Sequence, residues 1–341
     1  MEWRISSIRD ESPRVKSFEL QDSGDIPFVY LAGQFLNFDF TYHGRSYRRS
    51  YSLSSTPGID PLPCITVKRV ENGLMSRWLI DAARVGDHIS VASSATGLFT
   101  LDNSATDFEM AWFFAAGIGI TPIFSLLKAL LYTTNKRAVL VYSNRSPDTS
   151  VFYDPIRELE RQFPGRLRIA WLWSTAKDLR KARFSKEYFP LLRNGFLNTN
   201  IEQVIAFICG PIDYMWLVQL LLEDAGLKPG QIRREQFITR PVPLLHTPAD
   251  KDLHEVKLKI GKEWHSFNCA YPLSILDAGL AAGLNMLYSC KTGQCGSCTA
   301  ICRSGKVWMS YNEVLTDADQ LKGRVLTCTG HAVGGDVVLE F

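Results

Sequence analysis

Hydrophobic and polar positions along the 341 residues fall into three successive patterns, and each predicts a different fold. Up to about residue 105 the apolar runs are short and separated by Gly, Pro and Asp. Phe35–Phe40, Ser50–Ser54 and Cys64–Val70 are expected strands of a small antiparallel β-barrel. From about 106 to 238, apolar strands (Ala111–Ala115, Ala138–Tyr142, Arg168–Trp173, Val204–Cys209) alternate with helical patterns (Ile123–Leu131, Pro155–Phe163, Tyr214–Ala225). That order predicts a doubly wound α/β domain. Residues 239–252 contain Pro241, Pro243 and Pro248 without periodicity and predict a semi-rigid linker. A third region, 253–341, opens with the alternation Val256-Lys257-Leu258-Lys259-Ile260. It continues into a helix over Ser274–Ala282 just before a cysteine-rich loop.

One stretch reaches the length of a membrane span. Met110 to Leu127 has no formal charge. With Gly117, Gly119, Thr121 and Pro122 at its centre, it fits a buried parallel strand, a glycine turn and a helix better. Charged residues at 21% and a net charge of +3 describe an ordinary soluble chain, with no argument for nucleic acid or an anionic membrane surface. The first residues lack the basic and apolar regions of a signal peptide. Cys64, Cys209, Cys269 and Cys302 are scattered, as expected in a reducing, cytoplasmic setting.

The other four cysteines are patterned. Cys290, Cys295 and Cys298 form C-x4-C-x2-C, and Cys328 follows after 29 intervening residues, the plant-type spacing for a [2Fe–2S] cluster. Three thiolates from one tight loop and one from a distant strand would complete the cage. Zinc sites more often pair two short C-x2-C hooks, and here the fourth ligand stands alone. Cys302 lies outside the pattern. Gly293 and Gly296 allow backbone amides to turn toward the sulfurs.

In the first region, Arg49-Ser50-Tyr51-Ser52 combines a guanidinium able to clamp a pyrophosphate with a tyrosine on the same strand face, able to stack on a flat ring. After the strand containing Val67 and Lys68 comes Gly73-Leu74-Met75-Ser76, opening a helix over Arg77–Ala83. Such a helix start binds anions through its free amides. In the second region, Gly117-Ile118-Gly119-Ile120-Thr121-Pro122 lies between a strand and a helix, the context of a nucleotide loop.

Together these segments resemble the ferredoxin–NADP reductase superfamily: R-x-Y-S and G-x-x-S for the flavin, G-x-G-x-T-P for the pyridine nucleotide, and Cys209-Gly210-Pro211 for its C-G-P motif. With the C-terminal cysteines the resemblance spans nearly the whole chain. It implies a flavin barrel, a nucleotide domain and a β-grasp ferredoxin-like domain, in the order found in reductase components of bacterial oxygenases. It implies FAD held by Arg49, Ser50, Tyr51, Ser52, Val67, Lys68, Gly73, Met75 and Ser76. The FMN-type reductases of the same order differ around Gly73–Leu79. Gly117, Gly119, Thr121, Pro122, Asn144, Arg145 and Cys209–Pro211 are the implied nucleotide site. Arg145 would suit the 2′-phosphate of NADPH, whereas the resemblance implies NADH, which is the expected nucleotide. Ferredoxin–NADP reductases themselves end in an aromatic residue that covers the flavin; here the chain runs on past Phe237 into the linker, a departure in which that role either passes to Phe237 or is lost.

Function follows from the carriers. A nicotinamide gives two electrons as hydride and the cluster accepts one, so the flavin must stand between them. Ser52 and Cys209 are the expected catalytic-centre residues, with no protein nucleophile or general base. The expected electron acceptor is a terminal oxygenase, Rieske or diiron. Another metalloprotein such as hybrid-cluster protein is the alternative. The region from 253 onward has eight Lys/Arg and eight Asp/Glu, a neutrality that suits an electron carrier tethered to its donor.

Overall fold

The computed structural model describes residues 1–22, 24, 28–92, 94–101, 108–178, 181–195, 200–237 and 246–341. It divides into two compact units, residues 1–237 and 238–341.

The first unit opens with strands β1 (Glu2–Ser12), β2 (Val15–Asp22), β3 (Phe35–Tyr42), β4 (Arg45–Ser52) and β5 (Cys64–Lys68). Helix α1 (Leu74–Asp81) and strand β6 (His88–Val91) follow. The strands form one antiparallel sheet in the order β4-β3-β6-β1-β2-β5. A bridge between Leu53 and Ile65 joins the two outer strands and closes the sheet on itself. Inward-facing Phe18, Leu20, Leu36, Phe38, Ile65 and Val67 fill it, with Met75 and Leu79 of α1. Each such large side chain contributes about 1.5–3 kcal/mol by leaving water. The helix begins three residues before the expected Arg77, because Gly73 O already accepts the first helical hydrogen bond from Arg77 N (3.0 Å). The preceding strand stops at Lys68, the last residue paired with β2.

The α/β part comprises β7 (Met110–Ala116), α2 (Ile120–Thr133), β8 (Arg137–Asn144), α3 (Tyr153–Gln162), β9 (Leu167–Trp173) and α4 (Phe189–Gly195). It ends with β10 (Val204–Cys209), α5 (Ile212–Asp224) and β11 (Ile232–Glu235). All five strands are parallel, in the order β11-β10-β7-β8-β9. The uncharged run at 110–127 is thereby explained. Ala111, Phe113 and Ala115 face the layer of α2 and α3, while Met110, Trp112 and Phe114 face that of α4 and α5. Among the described residues no helix is long and apolar enough to cross a membrane.

A polar joint ties barrel to α/β sheet. Thr56 Oγ1 donates to Ser125 O (2.9 Å), and Ser125 Oγ donates to Ser55 O. Lys128 Nζ donates to Asp60 Oδ2, which also accepts from Thr56 N. Lys128 is 7% exposed, and its ammonium also lies 4.4 Å from the Phe124 ring centroid. Burial pulls the ammonium below its ordinary pKa, and Asp60 opposes that shift.

The second unit contains β12 (His254–Ile260), β13 (Glu263–Cys269), α6 (Ile275–Ala281), β14 (Thr299–Ser304), β15 (Val307–Met309), α7 (Asp317–Leu321), β16 (Arg324–Leu326), β17 (Gly330–Ala332) and β18 (Val337–Glu340). Its main sheet runs β13-β12-β18-β14-β16, with β12 and β18 parallel and β15 pairing only with β17. Helix α6 buries Ile275 and Leu276, and Gly279 lets Met286 approach where a Cβ would lie 2.2 Å from its sulfur. Residues 239–245 of the expected linker, and the 105/106 boundary, lie outside the described residues. Asp250, near the linker's end, is bound to this unit. It accepts hydrogen bonds from Asp252 N (2.9 Å) and Gly334 N and pairs with His254 Nε2 (2.8 Å). These contacts hold its carboxyl down at about 2.

Lys128→Met leaves Asp60 without its cation and should destabilise the first unit by about 3 kcal/mol, the low end for breaking a buried pair because Asp60 is 31% exposed. Adding Asp60→Asn should recover part of the loss in chemical denaturation; additive losses would show that the pair is not coupled.

Candidate functional site

Strand β4 presents the flavin motif by alternation. Tyr47, Arg49 and Tyr51 share one face, with the Arg49 guanidinium 5.9 Å from the Tyr47 ring. The two adjacent arginines are used differently. Arg48 stands opposite Asp39 in register and binds it through Nε (2.8 Å) and Nη2 (3.0 Å). Arg49 makes no ion pair among the described residues and donates to Arg48 O (2.7 Å), so its charge is available to an anion. Tyr51 packs against Phe38 and burial drives its phenol well above the ordinary value. Ser50 Oγ donates to Asn37 Oδ1 across the sheet (2.7 Å) and stabilises the strand pair.

Helix α1 supplies the second anion position. Its first turn has no acidic residue, so its positive end is uncompensated. A Cβ on Gly73 would lie 2.4 Å from Ser76 Oγ, so a larger residue there would have to turn that hydroxyl out of its present hydrogen bonds. The Ser76 hydroxyl accepts from Val70 N (3.2 Å) and donates to Gly73 O (3.3 Å). Any anion there would therefore meet backbone amides of the first turn. Val67 and Met75 are buried in the barrel core, so Val67 can offer a ligand only its backbone; Lys68 is exposed. An uncompensated helix start and an available guanidinium in the same barrel are the groups a flavin pyrophosphate would need.

In the α/β part, two loops meet at the carboxyl ends of β7 and β10. Gly117 has φ 55° and starts the turn into α2. A Cβ on Gly119 would lie 2.3 Å from Cys209 O and 2.8 Å from Gly210 N. One on Gly210 would lie 2.9 Å from Ala116 Cβ. Gly119 is thus required by close approach of backbone, and Gly210 by the Ala116 methyl and the Tyr214 ring. Thr121 Oγ1 donates to Ile118 O (3.1 Å), and Pro211 caps α5. The first turn of α2 lacks acids as well. Asn144 is occupied by its own loop: Nδ2 donates to Tyr142 Oη and Thr149 O (3.1 Å each), and Oδ1 accepts from Arg145 N (2.8 Å). Phe237 is 45% exposed.

Glu235 is the residue that the sequence pattern left without a role. It ends β11, opposite Cys209 in register, and accepts a hydrogen bond from Ser52 Oγ (3.1 Å). Of the two catalytic-centre residues expected from sequence, Ser52 thus binds the half-buried glutamate that stands opposite Cys209 in register. Desolvation raises Glu235 to about 8, with Ser52 opposing, and pushes the Cys209 thiol up, with Glu235 contributing. The available signal was an acid closing a strand that pairs with an entirely apolar one, Val204–Cys209.

In the second unit the four patterned cysteines converge. Cys290 lies against Cys295 and Cys328, and Cys298 against Cys328. Among the described residues no group of three or more such side chains is arranged to hold a single metal ion; a two-iron cage distributes its thiolates over two centres. Gly293 (φ 75°) and Gly296 (φ 73°) shape the loop, and Thr292 N donates to Cys290 Sγ (3.4 Å). Cys302 points elsewhere, toward Ser304 O and Gly305 O. Four convergent thiols with an inward amide fit a [2Fe–2S] cluster.

The comparisons agree with this geometry. Family models match residues 2–99 (oxidoreductase FAD-binding domain), 113–219 (oxidoreductase NAD-binding domain) and 258–333 (2Fe-2S iron-sulfur cluster binding domain). They define an FAD-, NAD- and [2Fe–2S]-dependent oxidoreductase. The ferredoxin reductase component of 3-ketosteroid-9-alpha-monooxygenase from Rhodococcus rhodochrous is 32% identical over 99% of this chain and 95% of that protein. The glycine betaine monooxygenase reductase subunit of Pseudomonas aeruginosa (strain UCBPP-PA14) is 28% identical over 99% of this chain and 94% of that protein. The crystal structure of phthalate dioxygenase reductase superposes with a TM-score of 0.58, at 26% identity, over 100% of this chain and 98% of that one. The chain belongs to the family of oxygenase ferredoxin reductase components within the ferredoxin–NADP reductase superfamily.

Two outcomes are expected. Because burial holds Glu235 protonated up to about pH 8 against an ordinary value of 4.5, the folded protein binds the extra proton. The contribution of Glu235 to the unfolding free energy should fall as pH rises between those values and be constant outside them. Glu235→Gln should remove that slope in chemical denaturation; an unchanged slope would contradict the assignment. Cys298→Ala should bleach the visible iron–sulfur spectrum while Cys302→Ser leaves it intact.

Proposed function

We propose that this reductase takes electrons from NADH at the junction of its first two domains and delivers them singly, through the cluster, to a terminal oxygenase of the Rieske or diiron type. The observation that carries the proposal is the Ser52–Glu235 hydrogen bond, which joins the flavin strand to the nucleotide sheet beside Cys209. Proposed boundaries are 1–105 for the FAD domain, 106–238 for the NAD domain, 239–252 for the linker and 253–341 for the ferredoxin-like domain. The four cysteines outside the cluster, Cys64, Cys209, Cys269 and Cys302, form no disulfide and support a reducing, cytoplasmic location.

Arg49 and the first turn of α1 would hold the FAD pyrophosphate, with Tyr51 against the ring and Ser52 at its edge. Gly117, Gly119, Thr121 and Cys209–Pro211 would hold the nicotinamide nucleotide, and Asn144 shapes the loop from which Arg145 approaches the ribose. Bound FAD would supply a carrier that accepts one hydride, two electrons at once, and releases the electrons one at a time. Glu235 keeps a proton beside Ser52, so the junction stays neutral where a buried carboxylate would repel added negative charge. Cys209, held as a neutral thiol, acts in positioning. The named monooxygenase and dioxygenase reductases support an oxygenase acceptor over hybrid-cluster protein.

A chain ending at Phe237 should still oxidise NADH with ferricyanide, a small acceptor able to meet the flavin directly. It should fail to support turnover by the partner oxygenase. Equal oxygenase turnover with and without residues 238–341 would remove the cluster from the route.

A further inference from the structure

One polar atom in the cysteine loop has no role in holding the fold. Thr292 Oγ1 is buried from solvent and has no hydrogen-bond partner, an arrangement folded proteins seldom leave uncompensated. The other threonines around the cage are satisfied. Thr299 Oγ1 donates to Gly296 O (2.7 Å), Thr327 Oγ1 to Cys298 O (3.1 Å) and Thr329 Oγ1 to Tyr311 O (2.7 Å). Thr292 is held between two left-handed residues, Lys291 (φ 59°) and Gly293 (φ 75°). The outer side of this segment is closed. Glu313 N donates to Gly293 O (3.1 Å), and a Cβ on Gly293 would lie 2.7 Å from Tyr311 O. The Thr292 side chain lies beside Cys290 Sγ, without a hydrogen bond of acceptable geometry to it.

We propose that the Thr292 hydroxyl donates a hydrogen bond to a sulfur of the [2Fe–2S] cluster and thereby raises the cluster's reduction potential. The inference rests on the iron–sulfur assignment above. One-electron reduction adds negative charge that is shared by the sulfurs, so a fixed donor stabilises the reduced form more than the oxidised one. Thr292 would then complement its own backbone amide, which already faces Cys290, and would be a tuning residue that contacts no nucleotide.

The test is a redox titration of full-length, cluster-loaded protein, followed by electron paramagnetic resonance of the reduced cluster. Iron and sulfide content, measured separately, reports on the cluster assignment itself. Thr292→Val and Thr292→Ala should shift the one-electron equilibrium about tenfold toward the oxidised cluster, lowering the potential by about 59 mV. Thr292→Ser, which keeps the hydroxyl, should stay near the parent value. An unchanged potential in a fully loaded Val or Ala variant would overturn the proposal. So would a Ser variant that shifts as far as the Ala variant, or failure of all three to assemble a cluster, which would make Thr292 a requirement of folding.

Discussion

Hydride transfer between two bound rings tolerates very little misplacement, so the barrel and the α/β sheet must behave as one body. The buried joint of Ser55, Thr56 and Asp60 with Ser125 and Lys128 supplies that constraint. Apolar contact reinforces it, with Phe99 edge-on to Phe207 of β10 at 5.3 Å. On this frame the glycines at 119 and 210 bring two loops together, and Ser52 reaches Glu235 across the domains. A charged pair is a demanding way to build such a joint, because each ion loses its water. Here Asp60 recovers part of that loss by also accepting from Thr56 N, so the pair is anchored to the barrel backbone.

Much of this was legible in the sequence because the signals are local. Four of the five parallel strands were visible as apolar runs, and β10 spans Val204–Cys209 as expected; β11 (Ile232–Glu235) was not foreseen, because Arg233, Arg234 and Glu235 break the apolar pattern. The cysteine spacing and the loops at 73–76 and 117–122 mark turns whose backbone demands are carried by few residues. Boundaries moved where a hydrogen bond decided them, as at α1, where Gly73 caps the helix directly. Strands β1, β2 and β6 were not foreseen. Charged residues stud the first two, as in Arg9-Asp10-Glu11, and β6 has only four residues.

What stayed illegible depends on contacts distant in sequence. Ser52 and Glu235 are separated by 183 positions and Asp60 and Lys128 by 68, and neither pair leaves a periodic trace. The same holds for Arg48, indistinguishable from Arg49 by composition, yet assigned to Asp39 by strand register. Thr292 is a similar case: a threonine in a loop is unremarkable until its hydroxyl is found buried without a partner.

The central claim is a serial route in which electrons enter at the flavin and reach the cluster afterwards. Anaerobic stopped-flow mixing of the fully loaded protein with NADH separates the two, since flavin and cluster have distinct visible spectra. Flavin bleaching should come first, with cluster bleaching following at its own rate, and the flavin phase should persist unchanged in Cys298→Ala protein. A cluster that bleaches before the flavin, or a flavin phase abolished by that substitution in folded, flavin-loaded protein, would contradict the account.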